Sequence, residues 1–468
     1  SERAQCRRWH ADARRRVDRR LGAIEDRLPI DLGPLTNGEY APPPPTPFER
    51  EIVRRTREAV HTNARRTNVS RREFLRSACA MATMLLTVEG CSRERAAVDG
   101  KRPGGGFGST LPPEATTEPE VASGALGRED GFVFDVQGHM LDFEVDPFSR
   151  RELGFTGNFP QASCGEADHA KCFDAEHFTD LVFKRSDTTM AVLSALPFAP
   201  EHSPLSPEVM DRTRRAVHTL CHATPERLFL HAEAHPTLAP LPVALAAMER
   251  AVDQHPVVGW KVYTHLPGPP WWLDDRDRSL PAVGDAFIRK AVELGVPRVA
   301  VHKGLAGGYT NDPADVGPAA RRHPDVAFLV YHSGWEVGRR EGPYSGTEPR
   351  GVDRLVASVE GAGIGRGSNV YAELGTTWFR VMREPDQAAH VLGKLLAHLG
   401  EDNVVWGTDS IWYGSPQPQI DAFRAFTISE EYQERFGYPA LTDAVKAKVL
   451  GLSGARVYGV EEVRTACS

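Results

Sequence analysis

From residue 131 onward, short apolar, β-branched runs recur along the chain, each ending in polar residues or glycine. Most are separated by a stretch of helical character. Eight runs stand out: 131–136 (GFVFDV), 189–195 (TMAVLSA), 227–231 (RLFLH), 257–262 (VVGWKV), 298–302 (RVAVH), 326–332 (VAFLVYH), 369–373 (NVYAE) and 403–407 (NVVWG). Runs of this length bounded by turn residues predict strands. The last four spacings fit a strand, a crossover helix and the return to a parallel neighbour. Helices are predicted over 240–255 (PLPVALAAMERAVDQH) and 285–295 (DAFIRKAVELG), the second stopped by Gly295. Eight consecutive units predict an α/β protein with a (β/α)8 TIM barrel. An open doubly wound sheet is the alternative, but no glycine-rich phosphate turn follows the first strand.

The front of the chain has a different texture. Residues 1–69 are expected to form a basic extension, partly helical or unstructured, with one amphipathic helix over 5–28 and an extended Pro42-Pro43-Pro44-Pro45 tract. Residues 70–91 begin with Ser70-Arg71-Arg72-Glu73-Phe74-Leu75, continue through a moderately apolar stretch and end in Gly90-Cys91. This resembles a twin-arginine translocation signal and predicts export to the periplasm or cell surface, with Cys91 as a lipid-anchor position; a cytoplasmic protein with an arginine-rich helix start is the alternative. Residues 92–130, rich in Gly, Pro, Ser, Thr and Glu, are expected to be a flexible linker. Residues 131–468 then form one domain.

Composition narrows the function. The 468-residue chain holds 56 basic and 63 acidic residues, net −7. That argues against a nucleic-acid binder, which draws most of its affinity from a concentrated basic surface. No apolar run approaches the roughly 20 residues of a transmembrane helix. Residues 1–76 contain 18 Arg, no Lys and 11 acids, and the whole chain has 47 Arg against 9 Lys. The arginine bias runs throughout, so the basic front end is not taken as a binding surface.

In a TIM barrel the active site lies at the C-terminal ends of the strands. The polar residues there are Gln137, His139, His231, Glu233, Lys261, His302, His332, Glu373 and Asp409. Imidazoles and carboxylates converging from different strands are what a catalytic divalent ion requires. A small-molecule substrate is therefore the expected partner.

The segments Phe134-Asp135-Val136-Gln137-Gly138-His139, Gly259-Trp260-Lys261, Val301-His302-Lys303-Gly304, Tyr331-His332-Ser333-Gly334, Asn369-Val370-Tyr371-Ala372-Glu373 and Trp406-Gly407-Thr408-Asp409 occur in an order that resembles amidohydrolase-related proteins. The similar branch includes aminocarboxymuconate-semialdehyde decarboxylase and several lactonases. The resemblance implies that His139, His302 and Asp409 ligate the metal, zinc in the first instance and manganese as the alternative. It also implies that Asp409 takes a proton from metal-activated water, that His332 polarises a substrate carbonyl or assists proton transfer, and that the chain forms a homodimer.

One residue departs from that pattern. Gln137 stands where the family has the first His of an H-x-H pair, and positions two apart on a strand face one side. An amide oxygen is a poorer zinc ligand than imidazole, so the site is expected to bind metal more weakly, prefer a harder ion, recruit His231, or have lost catalysis. Lys261 is expected either to bridge to Glu373 or Asp409, or to meet an anionic substrate, or to be modified to bridge a second metal. Trp378 and the Trp271-Trp272 pair are packing residues or a substrate wall; Arg380 is a surface ion pair or a partner for a substrate carboxylate. Cys164 and Cys172 are expected to close a disulfide if the protein is exported, in a long loop, 138–174, placed to cover the pocket. The sequence thus predicts a metal-dependent hydrolase of a small lactone, amide or ester, with nonoxidative decarboxylation on the same scaffold, or a catalytically weak binding protein, as alternatives.

Overall fold

The computed structural model describes residues 27–128, 131–142, 164, 166, 168–220, 226–305 and 308–462. The helix expected over 5–28 lies almost wholly outside these residues, as does most of the 138–174 loop. Eight strands form one parallel sheet in sequential order. They are β1 (Phe134–Gly138), β2 (Met190–Ser194), β3 (Leu228–Glu233), β4 (Val257–Tyr263), β5 (Arg298–His302), β6 (Ala327–Tyr331), β7 (Val370–Glu373) and β8 (Val404–Val405). The TIM barrel expected from the sequence is therefore present.

β1 begins three residues later than its apolar pattern suggested, and β8 is reduced to two. The reason lies at the seam. There Val136 N donates to Trp406 O, Asp409 N to Gln137 O, and His139 N to Ser410 O, so the residues after β8 bond to β1 and close the barrel. Asp135 reinforces the closure, accepting from the backbone N–H groups of both Gln137 and Thr408. The predicted helices appear as Leu241–Gln254 and Gly284–Glu293. The final helix, Ser453–Tyr458, packs under the N-terminal end of the barrel, where Gly451 lies so close to Phe132 that a Cβ there would stand 2.5 Å from its ring.

The segments before the barrel differ from expectation. Residues 47–98 form three helices: α1 (Pro47–Arg66), α2 (Arg71–Leu75) and α3 (Ala78–Val98). Thr46 and Glu49 make a reciprocal capping box at the start of α1, and Glu49 also pairs with buried Arg383 of the barrel at 3.1 Å. α3 has almost no polar face. Met81, Met84, Leu85 and Val88 are buried in the same apolar cluster as barrel residues, while the last turns of the helix, at Arg93, Glu94, Ala97 and Val98, are exposed. The exposed Arg71 and Arg72 lie in α2, and Cys91 is buried within α3.

Of residues 92–130, expected to be a flexible linker, much of the described part, 92–128, is instead packed. Gly105–Gly106 pairs antiparallel with Thr427–Ile428, and the helical turns Pro113–Thr116 and Pro119–Ala125 follow. The glycines here serve close approach rather than flexibility: a Cβ on Gly104 would sit 2.1 Å from the Tyr432 ring. Buried Glu89 of α3 secures the turn by accepting from the N–H groups of Phe107 and Gly108. No helix among the described residues is long and apolar enough to cross a membrane.

Candidate metal centre and active site

The loops at the C-terminal ends of the strands bring together Gln137, His139, His302, His332 and Asp409. His139 lies just past β1. Its Nδ1–H donates to Ser194 O at 2.6 Å, which fixes the tautomer and leaves Nε2 as a lone-pair donor. That Nε2 is 3.3 Å from Asp409 Oδ1. Asp409 adopts φ 56°, His332 φ 66° and Ser333 φ 53°. Left-handed backbone at three non-glycine residues beyond β6 and β8 is strain of the kind that clusters at functional sites. Glu373 holds one of these turns in place, accepting from His332 N at 3.0 Å and Gly375 N at 2.5 Å.

Asp409 is crowded with donors. Gln137 Nε2 reaches Oδ1 at 3.1 Å, while Asn37 Nδ2, at 2.8 Å, and Thr376 Oγ1 reach Oδ2. Burial opposes ionisation, but the charge of His332 and the hydrogen bond from Thr376 hold this carboxyl well below the usual range. Thr376 also contacts Tyr413, whose hydroxyl meets that of Tyr40 at 3.0 Å.

The residues not foreseen are those of the extension. The turn Leu35-Thr36-Asn37-Gly38-Glu39-Tyr40, buried at Leu35, Thr36, Asn37 and Tyr40, half-buried at Glu39 and exposed at Gly38, enters the mouth of the barrel. Glu39 Oε1 lies 3.3 Å from His302 Nδ1, and Glu39 Oε2 lies 3.5 Å from His332 Nε2. The ligand atoms of Glu39, His302 and His332 are all within 4.8 Å of one another. The Asn37-Gly38 dipeptide was the one available signal, being a strong turn former.

Lys261 on β4 forms neither of the expected bridges to Glu373 and Asp409. Its ammonium is fully buried, has no hydrogen-bond partner among the described residues, and stands 4.2 Å from the ring centres of both Tyr263 and Tyr331. Burial lowers its pKa to about 8, with Glu39, Asp409, Glu373 and Glu233 opposing the shift. Burial likewise raises Glu373 to about 8.

Two expected site residues are placed elsewhere. His231 is not recruited as a ligand: it is hydrogen-bonded to Tyr458 at 2.8 Å, and burial lowers its pKa to about 3. Trp378 is not a substrate wall, because it is fully buried, donates to Gln419 O and packs edge-on against Phe423 and Phe426. Trp271 is buried against Phe287. Arg380 is half-buried and lies near Tyr40 and Arg383 rather than in an ion pair among the described residues. Cys164 and Cys172 are joined by a disulfide, with Cα atoms 5.7 Å apart.

A family model described as amidohydrolase matches residues 135–460, from the middle of β1 to the end of the final helix. The chain belongs to the amidohydrolase family. This amidohydrolase-fold chain is also similar to several solved structures. One is 5-carboxyvanillate decarboxylase from Novosphingobium aromaticivorans, in complex with manganese and 4-hydroxy-3-methoxy-5-nitrobenzoic acid: 14% identity, 71% of this chain and 97% of that chain covered, TM-score 0.42. Others are 4-oxalomesaconate hydratase from Rhodopseudomonas palustris (14%, 70% and 96%, 0.39) and amidohydrolase 2 from Bifidobacterium longum subsp. infantis (12%, 70% and 99%, 0.35). No curated protein matches the chain. Likeness this distant is compatible with widely different chemistry, so the reaction has to be argued from the site.

Proposed function

We propose that this amidohydrolase-fold enzyme is metal-dependent and acts on a small organic anion, with nonoxidative decarboxylation as its reaction. The observation that carries this is Lys261: a buried ammonium without a hydrogen-bond partner among the described residues, beside the ligand cluster, is costly unless an anionic group completes it.

His139, His302 and Asp409 would hold the ion. The fit rests on His302 Nδ1, buried and without a hydrogen-bond partner among the described residues, and on His139 Nε2, whose lone pair is left to the site by the bond of its other nitrogen and meets Gln137 Nε2 at 3.4 Å. A divalent ion there supplies positive charge that polarises a substrate oxygen. The remaining work falls to side chains. Lys261 anchors an anionic oxygen of the substrate. His332, whose pKa is raised by Glu39 and Asp409 against the effect of burial, donates a proton to the carbon that loses its carboxylate. The C–C bond breaks with its electron pair left on that carbon, the proton takes the pair, and carbon dioxide departs. Asp409, with both oxygens already accepting hydrogen bonds, serves as a ligand more readily than as a base.

Hydrolysis of a lactone, amide or ester is the second reading, supported by the placement of Asp409 beside His139, where it can accept a proton from attacking water. The two separate in one assay. The metal-loaded chain is incubated with a panel of unsaturated and aromatic carboxylates and, separately, with lactones, esters and amides, and both carbon dioxide and newly formed acid are measured. Carbon dioxide release that is abolished in His302→Ala is expected; turnover confined to the lactones, esters or amides would overturn decarboxylation.

The location of the protein is also a proposal. Ser70–Leu75 supports twin-arginine export, but cleavage before Cys91 would remove Asn37 and Glu39 from the site, so we propose export with the extension retained.

A further inference from the structure

We propose that Glu39, carried into the barrel by the N-terminal extension, is a metal ligand that takes the place vacated by Gln137. The inference rests on the reading that His139, His302 and Asp409 hold a divalent ion.

Three observations lead to it. The first is the deficit on β1. Gln137 turns its amide nitrogen to Asp409, while its carbonyl oxygen is buried without a hydrogen-bond partner. A neutral amide in this orientation adds no negative charge and no imidazole to the site.

The second is the geometry opposite. Glu39 Oε1 lies 3.3 Å from His302 Nδ1, which is on a fully buried ring and has no hydrogen-bond partner among the described residues, while Glu39 Oε2 pairs with His332 Nε2 at 3.5 Å. The lone pairs of Glu39 and His302 so placed face a common centre, with the proton-bearing His332 at its edge, and a cation is what such a centre accommodates.

The third is that the turn is built to deliver this one carboxylate. Thr36 Oγ1 donates to Tyr40 O and accepts from Gly38 N; Asn37 Oδ1 accepts from Glu39 N. Gly38, at φ 93°, makes the reversal. Asn37 Nδ2 then donates to Glu39 Oε2 at 2.6 Å and to Asp409 Oδ2 at 2.8 Å, tying the incoming carboxylate to the resident one. Replacing a family imidazole by a carboxylate hardens the ligand set and moves its preference from zinc toward manganese.

The test is metal binding by the full-length chain, measured as affinity for Zn²⁺ and Mn²⁺ by chelator competition, and as the visible spectrum of the Co²⁺-loaded protein. Glu39→Gln, nearly isosteric, and Glu39→Ala should each weaken Mn²⁺ binding by about tenfold to hundredfold or more and alter the Co²⁺ spectrum. Glu39→Asp should recover part of the loss. His302→Ala should abolish binding, with circular dichroism melts confirming that every variant is folded. If His302→Ala loses metal while both Glu39 variants keep the parent affinity and spectrum, Glu39 is not a ligand and the barrel site stands without it; faster turnover in those variants would then make the turn a plug. If the parent chain and His302→Ala alike bind neither ion, the barrel reading and the Glu39 proposal fall together.

Discussion

Asn37 and Asp409, 372 positions apart in sequence, are joined by a hydrogen bond of 2.8 Å inside the mouth of the barrel. The donor belongs to a segment outside the family-matched region, and the acceptor follows the last strand of the barrel inside it. The extension thus reaches the proposed active site. Asn37→Ala is expected to loosen the 36–40 turn and lower turnover by about tenfold, through one lost hydrogen bond to a charged group. Retention of full activity would show that Asp409 is held adequately by Gln137 and Thr376.

A fragment starting at residue 131 should fold poorly. It lacks Met81, Met84, Leu85 and Val88, which share the apolar cluster of the barrel, and each such side chain contributes about 2 kcal/mol by burial. Comparing the fragment with the full chain, aggregation or strong binding of a hydrophobic dye is the expected result. A monomeric fragment melting at the parent temperature would mean that α3 is dispensable.

Lys261→Met should separate stability from function. The ammonium has a pKa lowered from 10.5 to about 8 by burial, a shift worth on the order of 3 kcal/mol. Below pH 8 both folded and unfolded chains carry the charge, and its burial penalty is complete. Between pH 8 and 10.5 the folded chain sheds the proton first, so the penalty fades as pH rises. Methionine, packed between Tyr263 and Tyr331, is expected to raise the melting temperature most at neutral pH and to weaken binding of an anionic substrate more than a hundredfold. A melting temperature that falls at pH 7 would point to an internal partner for Lys261.

Asp409→Asn is a conservative probe because asparagine tolerates the left-handed backbone that Asp409 adopts at φ 56°. The circular dichroism spectrum should be unchanged, while metal affinity falls by at least tenfold and turnover disappears. Turnover at the parent rate would exclude Asp409 from the centre.

Gln137→His would restore the H-x-H pair beside His139. Zinc affinity should rise about tenfold or more. An unchanged dissociation constant would place position 137 outside the ligand set, where its present amide serves to contact Asp409 and His139.

The chain's pattern alone determined the barrel. Each strand is a local apolar run, and its neighbour in the sheet is its neighbour in sequence, so the architecture was legible without long-range information. The polar residues closing those runs, His139, His302, His332 and Asp409, were legible for the same reason, since a strand end in a TIM barrel has a known destination. The extension was not. Nor was the packing of 92–128, whose composition suggested a flexible linker, because glycines used for close packing against Tyr432 and Phe426 look, in sequence, like glycines used for flexibility. Nor does any local pattern say where a polar turn docks: Asn37 and Glu39 acquire their role only when Arg383 holds Glu49 and the apolar face of α3 is buried against the barrel. The same holds for His231 and Trp378, which stand near strand ends like the ligands do. Tyr458 takes up the imidazole and Phe423 covers the indole, and only the folded packing decides that.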